Sequence, residues 1–134
     1  MQDIFNEDVG KGTPLVLVHG FLGSSEMWRP QIKFFKDSFR VIAPAIPGFG
    51  KSNTIDSCDS IECMAKAILN LLEKKEIKNF NLLGHSMGGM IVQEMTKIAG
   101  NEILKLICYG TGPRENQEEI YLDDLKLLTN LEKG

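Results

Sequence analysis

The chain has 134 residues, which is enough for one domain with a buried core. It is 43% apolar and 25% charged, a composition that excludes disorder of the whole chain. Its formal net charge of −3 excludes sequence-independent electrostatic binding to nucleic acid. Residues 1–12 are polar and acidic, unlike a signal peptide, and no apolar run approaches the length of a bilayer span. We therefore expect a cytoplasmic protein that partners neither nucleic acid nor membrane; the oligomeric state is open.

Four short apolar runs predict buried strands of a parallel sheet, because strands covered on both faces read as nearly continuous apolar segments. The runs are PLVLVHG (14–20), FRVIAPAI (39–46), NFNLLGHS (79–86) and ILKLICYG (103–110).

Helical periodicity falls between these runs. Residues 24–38 carry a weak apolar stripe. Ser60 is placed as the N-cap of a stronger one, formed by Ile61, Met64, Ala65, Ile68 and Leu72. A third helix is predicted to end at Gly100. Its apolar residues Met90, Ile91, Met95 and Ile98 are expected to share one face.

Strict alternation of strands and helices predicts the α/β class, with a doubly wound, mostly parallel sheet of about four to five strands. Sites in such sheets lie at the carboxyl ends of the strands. Three glycine-containing segments fall at those ends. They are HGF (19–21), PGFG (47–50) and GHSMG (84–88).

The GHSMG segment fits the pattern G-x-S-x-G between a strand and a helix, which is the context of a nucleophile elbow. A sharp turn there strains the serine backbone, and side chains at Gly84 and Gly88 would collide across it. Ser86 is therefore the candidate nucleophile. The backbone N–H groups of Met87 and Phe21 are the candidate oxyanion-hole donors.

Together, HGFLGSSEMW, PGFGKS and LLGHSMGG resemble the N-terminal half of an α/β-hydrolase fold enzyme, from about Val9 to Gly110. The likeness is greatest to small esterases, lactonases and carbon–carbon bond hydrolases. It implies a serine hydrolase acting on a small-molecule ester, lactone or related carbonyl substrate, with Ser86, Phe21 and Met87 in the roles above. It implies no cofactor and no metal.

The family's triad runs from serine to an acid and then to histidine, yet no histidine follows Ser86 in this sequence. We therefore expect a fragment of a longer hydrolase, nearly inert by itself. Residues 1–112 would be the N-terminal part of the hydrolase core, and residues 113–134 the start of a cap or connecting helix. His19 and His85 are expected to support loop structure.

Two rival functions stay open. One is a non-catalytic hydrolase-like binding module that uses the pocket without a triad. The other is a nucleotide-binding P-loop, because AIPGFGKS (45–52) matches a relaxed Walker A pattern. The turn-rich segment after Ser52 favours a structural corner at Gly48 and Gly50 over a phosphate-binding helix start.

The three cysteines, Cys58, Cys63 and Cys108, match no zinc spacing, and only two histidines are available to join them. We expect reduced thiols in or near the core.

Overall fold

A computed structural model describes residues 4–20, 25–48, 58 and 60–109. The predicted cap segment, 113–134, lies outside the described residues. The strands are β1 (Asn6–Val9), β2 (Thr13–Val18), β3 (Phe39–Pro44), β4 (Phe80–His85) and β5 (Ile103–Tyr109). The helices are α1 (Arg29–Phe35), α2 (Ile61–Lys74) and α3 (Met87–Ala99), with 3₁₀ turns at Ser25–Trp28 and Gly100–Glu102.

The strands form one sheet in the order β1-β3-β2-β4-β5. The last four are mutually parallel, and β1 pairs antiparallel with β3. The predicted α/β class, mostly parallel sheet and strand number are therefore confirmed. β1 was not among the four predicted strands, because its sequence NEDV is polar and gives no apolar run.

The core lies on both faces of the sheet. Along β2, Leu15 and Leu17 join a cluster with α1, whereas Val16 and Val18 join the cluster that α2 and α3 cover. Because successive side chains of a strand point to opposite faces, both sets are buried. This explains why β2 reads as an unbroken apolar run.

The predicted second helix is confirmed. Ser60 is the N-cap of α2, and its hydroxyl oxygen accepts a hydrogen bond of 3.1 Å from the Cys63 N–H. Met64, Ala65, Ile68 and Leu72 are buried. Within the described ranges, no helix is long and apolar enough to cross a membrane.

The predicted face of α3 is wrong in part. Met90 and Ile98 are exposed, at 41% and 44%. Gly88 must instead face β2, because a Cβ there would fall against the carbonyl groups of Val18 and His19. That close approach sets the rotation of the helix. The buried stripe is Gly88, Ile91, Val92, Met95 and Ala99.

The strand β5 is less buried than its sequence predicts. Leu104 and Leu106 are 50% and 39% exposed. Within the described part of the chain, β5 pairs with β4 and forms the edge of the sheet. Its apolar composition is typical of a strand covered on both faces.

The prediction of three reduced thiols is wrong for two of them. Cys58 and Cys63 form a disulfide, and Cys108 is a free, half-buried thiol. The bridged residues lie on either side of Ser60, the N-cap of α2, with their Cα atoms 5.4 Å apart. A sequence separation of five gives no such signal by itself.

An ion-pair network joins β1, β3 and the end of α2. The Asp8 carboxylate accepts hydrogen bonds of 2.9 and 2.7 Å from Arg40 and one of 2.9 Å from Lys75. The Arg40 hydrogen bonds, with help from Lys75 and against a smaller opposing effect of burial, lower the pKa of Asp8 to about 2. The Asp8 side chain is only 23% exposed, so solvent screens this network incompletely.

We expect Asp8→Asn to lower the free energy of unfolding at pH 7 by about 1 kcal/mol. Because the folded-state pKa of Asp8 lies below its ordinary value of 3.8, the contribution is complete above about pH 4 and is lost as the pH falls towards 2. Urea unfolding across that range measures it. Glu62→Gln is the matched control, since the Glu62–Lys66 pair is 61% and 62% exposed, and it should change stability little. An equal loss in both variants would contradict the prediction.

Candidate active site

The carboxyl ends of β2 and β4 lie side by side. These strands pair in parallel with Val18 opposite Gly84, so the chain leaves both at the same edge of the sheet. The chain passes from β2 to β3 on one side of β2, whereas β4 pairs with β2 on the other side. This reversal makes the carboxyl end of β2 the topological switch point of the sheet, where sites form. His19 and Gly20 follow β2 there, and Ser86 follows β4.

The backbone of Ser86 is strained, with φ of +58° and ψ of −122°. Such geometry in a residue with a side chain costs about 1 to 3 kcal/mol and persists only when its surroundings enforce it. Two hydrogen bonds do so. The Ser86 N–H donates to the Tyr109 carbonyl at 2.8 Å, and the Gly89 N–H donates to the Ser86 carbonyl at 2.9 Å. The Ser86 hydroxyl makes no capping bond to the first turn of α3.

Glycine is required on both sides of Ser86, as the sequence predicts. A Cβ at Gly84 would fall against the Gly88 carbonyl. A Cβ at Gly20 would lie 2.8 Å from the Cβ and 3.4 Å from the Oγ of Ser86. Gly20, which follows β2, therefore lies directly against the candidate nucleophile. Of the candidate oxyanion donors, Met87 begins α3 immediately after Ser86, whereas Phe21 lies outside the described residues.

The His19 side chain connects the segments that follow β2 and β3. It is fully buried, and its Nε2 accepts a hydrogen bond of 3.0 Å from the Ile46 N–H. Since Nε2 accepts, Nδ1 carries the proton and donates to the Gly20 carbonyl at 2.8 Å. Burial lowers the pKa of His19, which keeps the ring neutral. The expectation that His19 supports loop structure is confirmed.

His85 packs against Tyr109, with ring centroids 4.8 Å apart and ring planes inclined by 33°. Tyr109 thus supports the elbow twice, by its ring at His85 and by its carbonyl at Ser86. Sequence reasoning placed Tyr109 in a strand and gave it no role. The role of Tyr109 depends on the pairing of β5 with β4, which the periodicity of apolar residues along the sequence does not show.

The segment AIPGFGKS contains a turn at Pro47 and Gly48. Gly48 has φ of +89°, a conformation that favours glycine, which supports the corner at this position. Gly50, Lys51 and Ser52 lie outside the described residues. The next helix that the structure describes is α2, which begins at Ile61. In the described part of the chain, no group of three or more histidine, cysteine or acidic side chains is placed to hold a metal ion.

A sequence profile of the alpha/beta hydrolase fold family matches residues 13–131, which is most of the chain. The chain belongs to the alpha/beta hydrolase fold family. The predicted resemblance is therefore confirmed at the level of the family.

The relatives similar to this chain include esterases and a lactonase. A pimeloyl-[acyl-carrier protein] methyl ester esterase of Photobacterium profundum is 33% identical over 78% of this chain and 39% of its own length. A thermophilic esterase from Thermogutta terrifontis superposes with a TM-score of 0.77 at 32% identity, over 90% of this chain and 44% of that one. The N-acyl homoserine lactonase AidH gives 0.74 at 33%, over 81% and 41%. The chain spans about two fifths of the length of each.

Stability should depend on the neutral state of His19. Because its folded-state pKa lies below the ordinary value of 6.5, the unfolded chain binds the extra proton first, and stability falls as the pH drops below 6.5. One such group contributes at most about 1.4 kcal/mol per pH unit. Denaturant unfolding between pH 7.5 and 5.5 measures this slope.

The matched variant is His19→Asn, which retains a donor for the Gly20 carbonyl and cannot titrate. It should be less stable at neutral pH by about 1 to 3 kcal/mol, because the Ile46 N–H loses its acceptor. Its stability should change less with pH than that of the wild type. Identical slopes in the two proteins would show that His19 does not control the acid response.

We expect Gly88→Ala to lower the free energy of unfolding by about 3 kcal/mol, since α3 must move away from the carbonyl groups of Val18 and His19. Gly100→Ala is the control. A Cβ at Gly100 meets only Thr96 Cγ2 at 3.9 Å, and its φ is −57°, so the substitution should be neutral or stabilising by about 0.4 to 1 kcal/mol. Thermal melting of both variants tests the difference, and equal losses would contradict a special contact at Gly88.

Proposed function

We propose that this protein is a serine hydrolase, or the nucleophile-bearing part of one, that acts in the cytoplasm on an ester, a lactone or a related carbonyl compound. The observation that carries the proposal is the strained backbone of Ser86 at the carboxyl end of β4, enclosed by glycines. Family membership and the similarity to esterases and a lactonase support the substrate class.

In this proposal, Ser86 Oγ attacks the substrate carbonyl carbon and forms a tetrahedral intermediate. The Met87 N–H, at the positive end of the α3 macrodipole, stabilises the oxyanion together with the Phe21 N–H. Gly20 precedes Phe21 and lies against Ser86, which supports the assignment of the second donor to this loop. A base takes the hydroxyl proton of Ser86 and gives it to the leaving group as the tetrahedral intermediate collapses to the acyl-enzyme, which water then hydrolyses.

The serine also needs a base, because a free hydroxyl is a weak nucleophile. We infer that neither histidine of the sequence serves as this base. Both nitrogens of His19 are engaged, with Gly20 and Ile46, and the His85 ring packs on Tyr109. We infer that these 134 residues supply the nucleophile and the oxyanion donors, and that the base comes from elsewhere. Loss of a triad base costs about 10⁶ in turnover, and the remaining groups retain about 10³ to 10⁴ over water.

The 134-residue chain alone should therefore hydrolyse p-nitrophenyl acetate slowly, and free imidazole should raise the rate by supplying the missing base. Ser86→Ala should lack both the basal rate and the increase. The measured quantity is the difference between the two proteins at each imidazole concentration, since imidazole also cleaves the ester directly. Fast hydrolysis without imidazole would contradict the inference about the base.

A fluorophosphonate probe tests the nucleophile separately. Peptide mapping after labelling should find the adduct on Ser86 and none on Ser60, which is an exposed serine at the N-terminus of another helix. Labelling of both serines at equal rates, or undiminished labelling of Ser86→Ala, would show that the elbow confers no special reactivity. Circular dichroism confirms that the variant is folded.

A further inference from the structure

The disulfide between Cys58 and Cys63 lies at the N-terminus of α2. Cys63 is in the first turn of this 14-residue helix and is exposed, whereas Cys58 is half-buried. The covalent ring encloses Ser60, whose hydroxyl accepts the Cys63 N–H. A covalent bond and a hydrogen bond thus both hold the N-terminus of α2.

The position of Cys63 controls its chemistry. A thiolate at the N-terminus of a helix is stabilised by the unpaired N–H groups and the macrodipole, so cysteines there have lowered pKa values and leave readily from disulfides. Exposed disulfides of this kind are the labile and regulatory ones. The charge of the neighbouring Glu62 is offset by Lys66, 3.8 Å away, which limits repulsion of an approaching thiolate.

Cys58 packs against the same apolar cluster as one residue of the candidate active site. It packs against the apolar cluster of α2 and α3, and so does Met87, the residue that follows Ser86. The disulfide fixes Cys58 on this cluster by tying it to α2. Opening the disulfide removes this covalent link to α2.

We propose that Cys58 and Cys63 form a reversible thiol–disulfide exchange site for low-molecular-weight thiols. A thiolate attacks the exposed Cys63 sulfur, forming a mixed disulfide and releasing the Cys58 thiolate, which takes up a proton. A second thiolate then attacks the small-molecule sulfur of the mixed disulfide, which forms the small-molecule disulfide and releases the Cys63 thiolate, the better leaving group of the two cysteines. The protein disulfide gains two electrons and two protons from two thiols, and the reverse reaction uses the small-molecule disulfide as oxidant.

The N-terminus of α2 is the element that this exchange controls. Closing the ring restricts the unfolded chain, so the oxidised form should melt about 4 °C or more above the reduced form. We expect the thiol–disulfide exchange at Cys58 and Cys63 and not at Cys108. Cys108 lies on β5 with its sulfur 3.7 Å from the Gly89 carbonyl, and burial raises the pKa of its thiol, which makes it a poor partner for exchange.

The test is a titration of the purified chain with glutathione buffers of increasing oxidised fraction, followed by acid quenching, alkylation and mass spectrometry. Oxidising buffers should leave one alkylated cysteine, Cys108, and reducing buffers should give three. Thermal melting at both ends should show the shift. Because the readout is thiol content, the result does not depend on whether the protein hydrolyses esters.

The variants separate the pair from the third cysteine. Cys108→Ser should leave the transition unchanged, and Cys63→Ser or Cys58→Ser should abolish it. Three alkylated cysteines at every glutathione ratio would overturn the proposal, because the pair would not close. A pair that stays closed in excess dithiothreitol while the protein is folded would overturn it as well, because the disulfide would then be a fixed structural link.

Discussion

The close approach of α3 to the end of β2 is the constraint on which the site depends. Gly88 contacts the carbonyl groups of Val18 and His19, and Gly20 lies against Ser86 from the other side. A side chain at either glycine would separate the elbow from the loop after β2. The same contact fixes the rotation of α3 and so decides which of its residues are buried. The packing of α3 and the distance between the elbow and Gly20 thus depend on the same small residues.

A second layer of interactions holds the strand ends in place beneath the elbow. His19 connects the Gly20 carbonyl to the Ile46 N–H and thereby joins the ends of β2 and β3. An imidazole suits this position because the neutral ring accepts a hydrogen bond at one nitrogen and donates a hydrogen bond from the other. The buried ring stays neutral, because burial disfavours the charged imidazolium and lowers the pKa of His19.

Much of this architecture follows from local sequence. The apolar runs predicted the four parallel strands, Ser60 predicted the start of α2, and the spacing of Gly84, Ser86 and Gly88 predicted the elbow. The failures arose where a tertiary contact outweighs a local pattern. The rotation of α3 depends on the contact at Gly88, β1 is a polar strand held by pairing, and the disulfide depends on the shape of a turn. The roles of Ser86, Phe21 and Met87 in catalysis stay predictions.

The hydrogen bond from the Ser86 N–H to the Tyr109 carbonyl has a consequence for the order of events during synthesis. The elbow belongs to β4 and α3, yet one of the two bonds that hold its strained serine comes from β5, later in the chain. When α3 has emerged from the ribosome but β5 has not, the chain therefore contains the residues of the elbow without the hydrogen bond from Ser86 to Tyr109. The strained conformation of Ser86 is completed only when β5 pairs with β4, so the geometry of this turn depends on a strand that is synthesised later.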